Sequence, residues 1–245
     1  MTIPLLVINL KRSRERWSDL EQAATSLGID VRRVEGIDGA VIDREKWVDV
    51  KPASFHRKHG RVILPGEYGC YRSHLRALEA AAELDAPYST IVEDDVALSA
   101  DITIRLQAIT EAIPDFDVIK LVNHRVQGFV RKARTREGDE IGRTLHGPLG
   151  SAAAYLVSKQ GAVKLRRALA VMELPWDIAL ERYWATGVRF HTVRRNLFAF
   201  SAHRGVSTIS PGAAYAETKF PAWRRLPAAV FRLQDYGWRC IAALQ

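Results

Sequence analysis

With 245 residues, 47% of them hydrophobic and 26% charged, the chain is long enough for one α/β domain, and its composition excludes a low-complexity protein. No apolar run approaches the roughly 20 residues that cross a bilayer, and two distant cysteines exclude a disulfide framework, so we expect the protein to stay in a reducing cytoplasm. The formal net charge of +8 favours a polyanionic partner, whether a phosphorylated substrate, an anionic lipid or a nucleic acid.

The first predicted elements form a strand–helix–strand unit. The apolar run over residues 3–10 is typical of a strand buried on both faces of a parallel sheet. Ser13 can cap a helix over residues 14–27, and a second short strand follows over residues 31–34. Such a unit predicts a ligand crevice at the carboxyl ends of its strands. Residues 40–62 are irregular and polar, and we predict a loop there that covers one side of the crevice.

Helices and strands alternate along the rest of the chain. Pro65-Gly66 opens a helix that runs to about Leu84, and a strand over residues 89–92 runs directly into Glu93-Asp94-Asp95. Residues 125–143 are predicted to form an extended polar loop or a hairpin. Further strands are predicted at 116–122, 152–157 and 188–193, and further helices at 101–112, 159–170, 175–185 and from Pro221 onward. This alternation predicts an α/β fold with a mostly parallel sheet.

Three consecutive acids at the end of a predicted strand are the strongest chemical signal. Side chains alternate along a strand, so Glu93 and Asp95 are expected on one face, and such crowded carboxylates need a cation or basic partners. Two carboxylates and the phosphates of a ligand are the usual way to hold Mg²⁺ or Mn²⁺. A capping or loop cluster explains one or two acids, but not three at the mouth of a crevice.

The start of the helix from Pro65 is a second, weaker signal. Gly66 and Gly69 allow close backbone approach, while Glu67 and His74, seven residues apart, share one helical face. A histidine on such a helix is more often a satisfied core residue than a catalytic one. This segment alone is therefore weak evidence for a site.

Six short segments carry a resemblance to one known family. They are Val7–Ser13 with Glu15-Arg16, Glu35–Gly39, Gly66–Cys70 with Ser73-His74, Val92–Val96, Ala154–Ser158 with Gly161-Ala162, and Pro175–Asp177. In this order, over about residues 3–210, they resemble glycosyltransferase family 25, the family of lipooligosaccharide galactosyltransferases and of collagen galactosyltransferase domains. The tail past Pro211 is not covered.

The resemblance implies a GT-A-like fold, in which helices flank a Rossmann-type, mostly parallel sheet, and a UDP-sugar donor. It also implies Mn²⁺ (or Mg²⁺) held by Asp95 and Glu93, with His203 as a further ligand. For Arg12 and Arg16, a surface role on the first helix is an equal alternative to ligand binding. The side chains expected to contact the nucleotide sugar are Asn9, Arg12, Arg16, Asp38, Glu67, Ser73, His74, Glu93, Asp94, Lys120 and Arg204.

The resemblance further implies inversion at the anomeric carbon, which needs a general base for the acceptor hydroxyl. Asp177, which opens a helix, is the candidate base, and Trp176 is expected to stack on a face of the acceptor sugar. Capping of that helix is the alternative role for Asp177.

These observations predict an inverting glycosyltransferase that moves a hexose, expected to be galactose, from a UDP-sugar to a saccharide of lipopolysaccharide, lipooligosaccharide or another surface glycan. One alternative is a catalytically inactive saccharide- or nucleotide-binding protein of the same fold, but such a protein would be expected to have lost the acidic triplet. The other is a basic nucleic-acid-binding module, but no helix-turn-helix, zinc or RNA-binding signature is present, so we expect no nucleic acid partner.

The chain is expected to hold one domain over residues 1–210 and a basic, amphipathic C-terminal extension over residues 211–245. From Pro221, arginines mix with tryptophans and aliphatic residues, as in helices that lie on anionic membranes. Packing of this helix onto the domain explains the pattern equally well. The expected location is the cytoplasm or the cytoplasmic face of the inner membrane, where a lipid-linked saccharide would be the acceptor.

Overall fold

The computed structural model describes residues 2–202 and 218–245. Their strands are β1 (Leu5–Leu10), β2 (Val31–Gly36), β3 (Tyr88–Glu93), β4 (Val96–Ala97), β5 (Val118–Lys120), β6 (Gln127–Arg134), β7 (Glu140–His146), β8 (Ala154–Ser158), β9 (Phe190–Val193) and β10 (Ala199–Phe200). Eight of these strands form one sheet in the order β2-β1-β3-β8-β5-β9-β7-β6, while β4 and β10 pair separately.

The large sheet is mixed but mostly parallel. Strand β1 pairs in parallel with β2 and β3, and β5 pairs in parallel with β9. Strands β8 and β7 are antiparallel to both of their neighbours, so the other six strands run in one direction. The predicted fold class, an α/β fold with a Rossmann-type, mostly parallel sheet flanked by helices, is confirmed.

Helices cover both faces of this sheet. They are α1 (Arg14–Leu27), α2 (Pro52–His59), α3 (Pro65–Glu83), α4 (Ile102–Ala112), α5 (Lys159–Ala168), α6 (Trp176–Leu180), α7 (Tyr183–Thr186) and α8 (Leu226–Leu244). Alternate residues of β1 enter different cores, because Leu6 packs in the core under α3 and α5, whereas Val7 packs in the core under α1 and α4. The continuous apolar run of β1 is therefore buried on both faces, as predicted.

The prediction for residues 40–62 was wrong in part. This segment contains α2, which begins with Pro52 in its first turn and ends at Gly60 in the left-handed conformation. Phe55 is fully buried in the core under α3, and it anchors the helix to the domain. Residues 125–143 do form a hairpin, in which β6 and β7 extend the edge of the sheet. The helix predicted over residues 175–185 is divided into α6 and α7.

The C-terminal helix α8 packs on the domain through β7 and α2. Arg143 of β7 donates a hydrogen bond to the carbonyl oxygen of Ala242 at 2.8 Å. Among the described helices, none is long and apolar enough to cross a membrane. The division at residues 210 and 211 stays a prediction.

Candidate active site

A crevice lies at the carboxyl ends of β1, β2 and β3. The chain leaves β1 toward β2 on one side and returns to β3 on the other, which makes this end of β1 a topological switch point, where open α/β sheets bind ligands. The crevice opens to solvent. Its lining residues are Ile8, Leu10, Arg12, Ile37, Asp38, Gly39, Gly66, Cys70, Ser73, His74, Glu93 and Asp94.

One wall of the crevice is formed where α3 meets the loop after β2 at backbone contact. A methyl group on Gly69 would overlap the carbonyl oxygen of Ile37 and lie 2.5 Å from the amide nitrogen of Gly39. Ser73 accepts a hydrogen bond from the Ile37 amide at 2.7 Å and donates one to the Gly69 carbonyl at 2.7 Å. The buried hydroxyl of Ser73 therefore fixes the loop that carries Asp38.

Arg12 and Asp38 lie at the rim of the crevice. The Nε atom of Arg12 donates to a carboxylate oxygen of Asp38 at 2.5 Å, while Asp38 also accepts from the amide of Ala40 at 3.1 Å. The hydrogen bond from Arg12 is the main cause that lowers the pKa of Asp38. This pair remains accessible, so it can meet a polar ligand at the crevice mouth.

The acidic motif does not continue the strand, because β3 ends at Glu93 and the next two acids form a turn before β4. The prediction that strand alternation places Glu93 and Asp95 on one face was therefore wrong, because Asp95 lies in the turn after the strand. Asp94 accepts hydrogen bonds from Asn9 Nδ2 at 2.7 Å and from Arg16 at 3.1 Å. Asn9 is fully buried at the end of β1 and also donates to the Ser13 carbonyl at 2.9 Å. These contacts hold Asp94 to the first strand and helix.

Glu93 is held from the other side by His74. The Nε2 atom of His74 lies 3.2 Å from Glu93 Oε1, and its Nδ1 atom lies 3.1 Å from the Tyr155 hydroxyl. His74 is buried, and its ring stacks on the Trp176 ring with centroids 4.9 Å apart. The histidine thus orients the carboxylate at the end of β3.

The charges of several acids act on the Cys70 thiol. Burial raises the pKa of this thiol, and the charges of Glu93, Asp177, Glu67 and Asp95 raise it further. The carboxylates of the acidic motif and Asp177 therefore act on one small region of the crevice.

Glu93 and Asp95 offer carboxylate oxygens, which are the ligands that suit Mg²⁺ and Mn²⁺. The ligand atoms of Cys70, His74 and Glu93 also lie within 4.8 Å of one another, although a thiolate and an imidazole suit a softer ion such as Zn²⁺. His203, the third predicted ligand, lies outside the described residues, as does Arg204.

A buried charge network lies behind Asp177. Lys120 is fully buried and donates to the Gly150 carbonyl at 3.0 Å, with Glu181 Oε1 at 3.6 Å. Glu181 also binds Arg239 of α8 at 2.8 Å and accepts from the Leu149 amide. Burial raises the pKa of Asp177, the charge of Lys120 opposes this rise, and Glu181 adds to it. Lys120 thus faces Glu181 and the loop at Gly150.

Two predicted ligand contacts have structural partners instead. Glu67 forms a buried ion pair with Arg61 and accepts a hydrogen bond from the Leu64 amide at 2.9 Å, which caps the start of α3. Trp176 is 3% exposed, with one ring face on His74, so its ring is not open to a sugar in this conformation. Neither Glu67 nor Trp176 is among the residues that line the crevice.

Sequence reasoning missed four residues of this arrangement as members of the site. Cys70 could have been found, because it lies four residues before His74 and shares its helical face. Tyr155 lies in the family-like segment Ala154–Ser158, but nothing there indicated its contact with His74. Glu181 and Arg239 carried no signal, since their partners are distant in sequence.

The fold and the crevice define an α/β protein with a ligand crevice at the topological switch point of its sheet. A sequence model of glycosyltransferase family 25, described as an LPS biosynthesis protein, matches residues 2–180, and the chain belongs to this family.

Relatives in the same family are distant in sequence. Procollagen galactosyltransferase 1-A of Xenopus laevis is 26% identical over 80% of this chain, and a glycosyltransferase 25 family member of Aedes aegypti is 27% identical over 81%. Each alignment covers 34% of the relative, so the chain spans about a third of the length of these curated relatives. Among solved structures, a mutant Drosophila beta-1,4-galactosyltransferase 7 in complex with manganese, UDP-Gal and xylobiose aligns at a TM-score of 0.38 and 6% sequence identity. The alignment covers 90% of this chain and 76% of that one.

Proposed function

We propose that the protein transfers a hexose, most simply galactose, from a UDP-sugar to a saccharide acceptor. The observation that carries this proposal is the acidic pair Glu93 and Asp94, which lines a switch-point crevice of a family 25 chain and is held there by His74 and Asn9. The names of the relatives as galactosyltransferases support galactose as the donor sugar.

The donor nucleotide is proposed to occupy the crevice at the ends of β1, β2 and β3. Arg12 and Asp38 at the rim would contact the base and ribose, while Asn9 and Arg16 would act through Asp94, which they hold. Glu93 and Asp95 would hold a divalent cation, Mn²⁺ or Mg²⁺, which when bound would neutralise the charge of the donor diphosphate. His74 would keep Glu93 oriented for this role.

We propose that Asp177 is the general base of a single inverting displacement. Its carboxylate takes the proton of the acceptor hydroxyl while the hydroxyl oxygen forms a bond to the anomeric carbon, and the bond from that carbon to the diphosphate oxygen breaks, so that UDP leaves. Burial supports this role, because it raises the pKa of Asp177 and makes the carboxylate a stronger base.

The acceptor is proposed to be a saccharide of lipopolysaccharide or lipooligosaccharide, still linked to lipid. The description of the family as LPS biosynthesis proteins supports this acceptor class. The net charge of +8 is consistent with work at an anionic membrane. On this proposal the protein works at the cytoplasmic face of the inner membrane, as a peripheral protein.

Calorimetric titration of UDP, with and without Mn²⁺, tests the donor site first. We expect metal-dependent binding to the wild type and its loss in Asp95→Ala. Asp85→Ala is the matched control, because Asp85 is an exposed acid away from the crevice, and it should bind as the wild type does. Absence of UDP binding under every metal condition would exclude a UDP donor.

A second measurement separates an enzyme from an inactive relative. UDP-galactose and a lipooligosaccharide-derived acceptor should give a product whose new linkage has the opposite anomeric configuration to the donor, as read by NMR. UDP binding without turnover of any UDP-sugar, or retention of configuration, would contradict the proposed reaction.

A further inference from the structure

The C-terminal helix α8 has two apolar faces, of which only one packs on the domain. The inner face buries Ala228, Ala242 and Ala243. At 100° per residue, an outer stripe lies nearly opposite these alanines, and its members on α8 are Leu226, Val230, Leu233, Ile241 and Leu244, with Trp238 at one edge. Seven large apolar side chains of α8 and of the short turn before it are between 50% and 77% exposed. They are Trp223, Leu226, Val230, Leu233, Trp238, Ile241 and Leu244.

This outer stripe is larger than ordinary surface chemistry explains. Soluble monomers seldom expose continuous apolar patches beyond a few hundred Å², and larger patches mark interaction surfaces. Isolated exposed apolar residues need no explanation, but seven within one helix and its leading turn do.

The charges around the stripe are basic. Arg224 and Arg225 are exposed at the start of the stripe, and the sole acid of residues 221–245 is Asp235. Arg232 is exposed too, but it lies toward α2, where it donates a hydrogen bond to the His59 carbonyl at 3.0 Å. Asp235 is only 13% exposed on its side chain and accepts hydrogen bonds from Arg182 at 2.8 Å and from Trp184 at 3.1 Å. The outward surface of this segment is therefore apolar and positive.

We propose that this surface, the stripe with Arg224 and Arg225, docks on an anionic phospholipid membrane. Helices of this kind lie in the membrane interface with their apolar face among the acyl chains, and each nearby arginine is attracted to anionic headgroups. Tryptophan is favoured at the level of the headgroups, which suits Trp223 and Trp238. A second copy of the chain fits less well, because pairing of two such stripes brings arginines of like charge together.

The membrane surface has a use only if the proposed function holds, in which case it also sets the orientation of the protein on the membrane. The inner face of α8 carries Arg239, which binds Glu181, and Glu181 lies beside Lys120 and acts on Asp177. Docking through the outer face therefore sets the side of the molecule that holds Arg239 and Glu181 toward the lipid surface. A lipid-linked acceptor would reach that side without leaving the membrane.

Co-sedimentation of the full chain with vesicles tests the surface. We expect binding to phosphatidylcholine vesicles that contain phosphatidylglycerol, weak binding to phosphatidylcholine alone, and a decrease as salt rises. Leu233→Glu and the pair Arg224→Glu with Arg225→Glu should each weaken binding roughly tenfold or more. Val163→Glu, at an exposed apolar position of α5, is the matched control and should bind as the wild type does.

Two outcomes would overturn the proposal. Equal binding of Leu233→Glu and the wild type would show that the stripe is not inserted. Concentration-dependent dimers of the wild type that Leu233→Glu converts to monomers, without vesicle binding by either, would assign the stripe to a second copy. Vesicle binding needs no nucleotide, and UDP titration of Leu233→Glu should match the wild type, so failure of the donor site and failure of the membrane surface are distinguishable.

Discussion

Asp177 combines two environments that a general base needs. Burial raises the pKa of its carboxylate, and the positive charge of Lys120 keeps the rise in check. A base must be deprotonated at the working pH and yet attract a proton in the transition state, so a moderately raised pKa is favourable. Lys120 itself is kept in place by Gly150 and Glu181, which makes it a positioning residue for the base.

We predict that Asp177→Asn lowers kcat by two to four orders of magnitude, because the amide cannot accept the proton of the acceptor. UDP binding should stay unchanged, which calorimetry can check. In the wild type, the rate should fall as the pH drops through the raised pKa of Asp177, because only the deprotonated form acts. The midpoint of the acid limb in the pH–rate profile is therefore expected above pH 3.8, the ordinary pKa of an aspartate side chain. Full activity of Asp177→Asn would assign this residue to capping of α6 instead.

Single residues also mark the limit of what sequence can predict here. The acidic motif and His74 were found because their types and positions relative to a strand and a helix end are local. The partner of Glu67 is Arg61, in a segment with no pattern, and the ring of Trp176 meets His74, about a hundred residues earlier. Burial of each side chain depends on such distant contacts, so residue type predicted chemistry better than it predicted orientation.

At the scale of elements, the crevice depends on how closely α3 approaches the loop after β2. Gly69 lies on α3 where a side chain would strike the backbone of Ile37 and Gly39. This distance was not readable from the sequence, which indicated only that glycine permits close approach. Helix α2 was missed for a related reason, since burial of Phe55 stabilises a short helix whose own pattern is weak.

We predict opposite effects for two substitutions of glycine by alanine in helices. Gly69→Ala should destabilise the protein and weaken UDP binding, because the new methyl group forces α3 away from the loop that carries Asp38. Gly237→Ala, on α8, meets no atom within 4 Å and should stabilise the protein by about 0.5–1 kcal/mol through lower entropy of the unfolded chain. Urea unfolding and UDP titration of both variants check this. Equal stability of Gly69→Ala and the wild type would mean that the close approach is not needed.

For the whole molecule, the described structure ties the C-terminal helix to the centre of the domain. Arg239 crosses from α8 to Glu181, which is fully buried, and a methyl group on Gly147 would overlap the guanidinium of Arg239. Arg143 adds a hydrogen bond to the end of α8. The composition of the tail was compatible with both a membrane-surface helix and a helix packed on the domain. Helix α8 shows features of both, because its inner face packs on the domain and its outer face exposes large apolar side chains.

Removal of residues 226–245 tests whether the predicted domain over residues 1–210 stands alone. We expect a loss of about 3 kcal/mol or more in the free energy of unfolding, because buried Glu181 loses one of its two cationic partners and the inner alanines of α8 no longer cover β7. Arg239→Met should reproduce much of this loss while leaving the outer stripe and vesicle binding in place. If the shortened chain unfolded at the wild-type urea midpoint, the tail would be an independent extension, and its contact with Glu181 would contribute nothing to the stability of the domain.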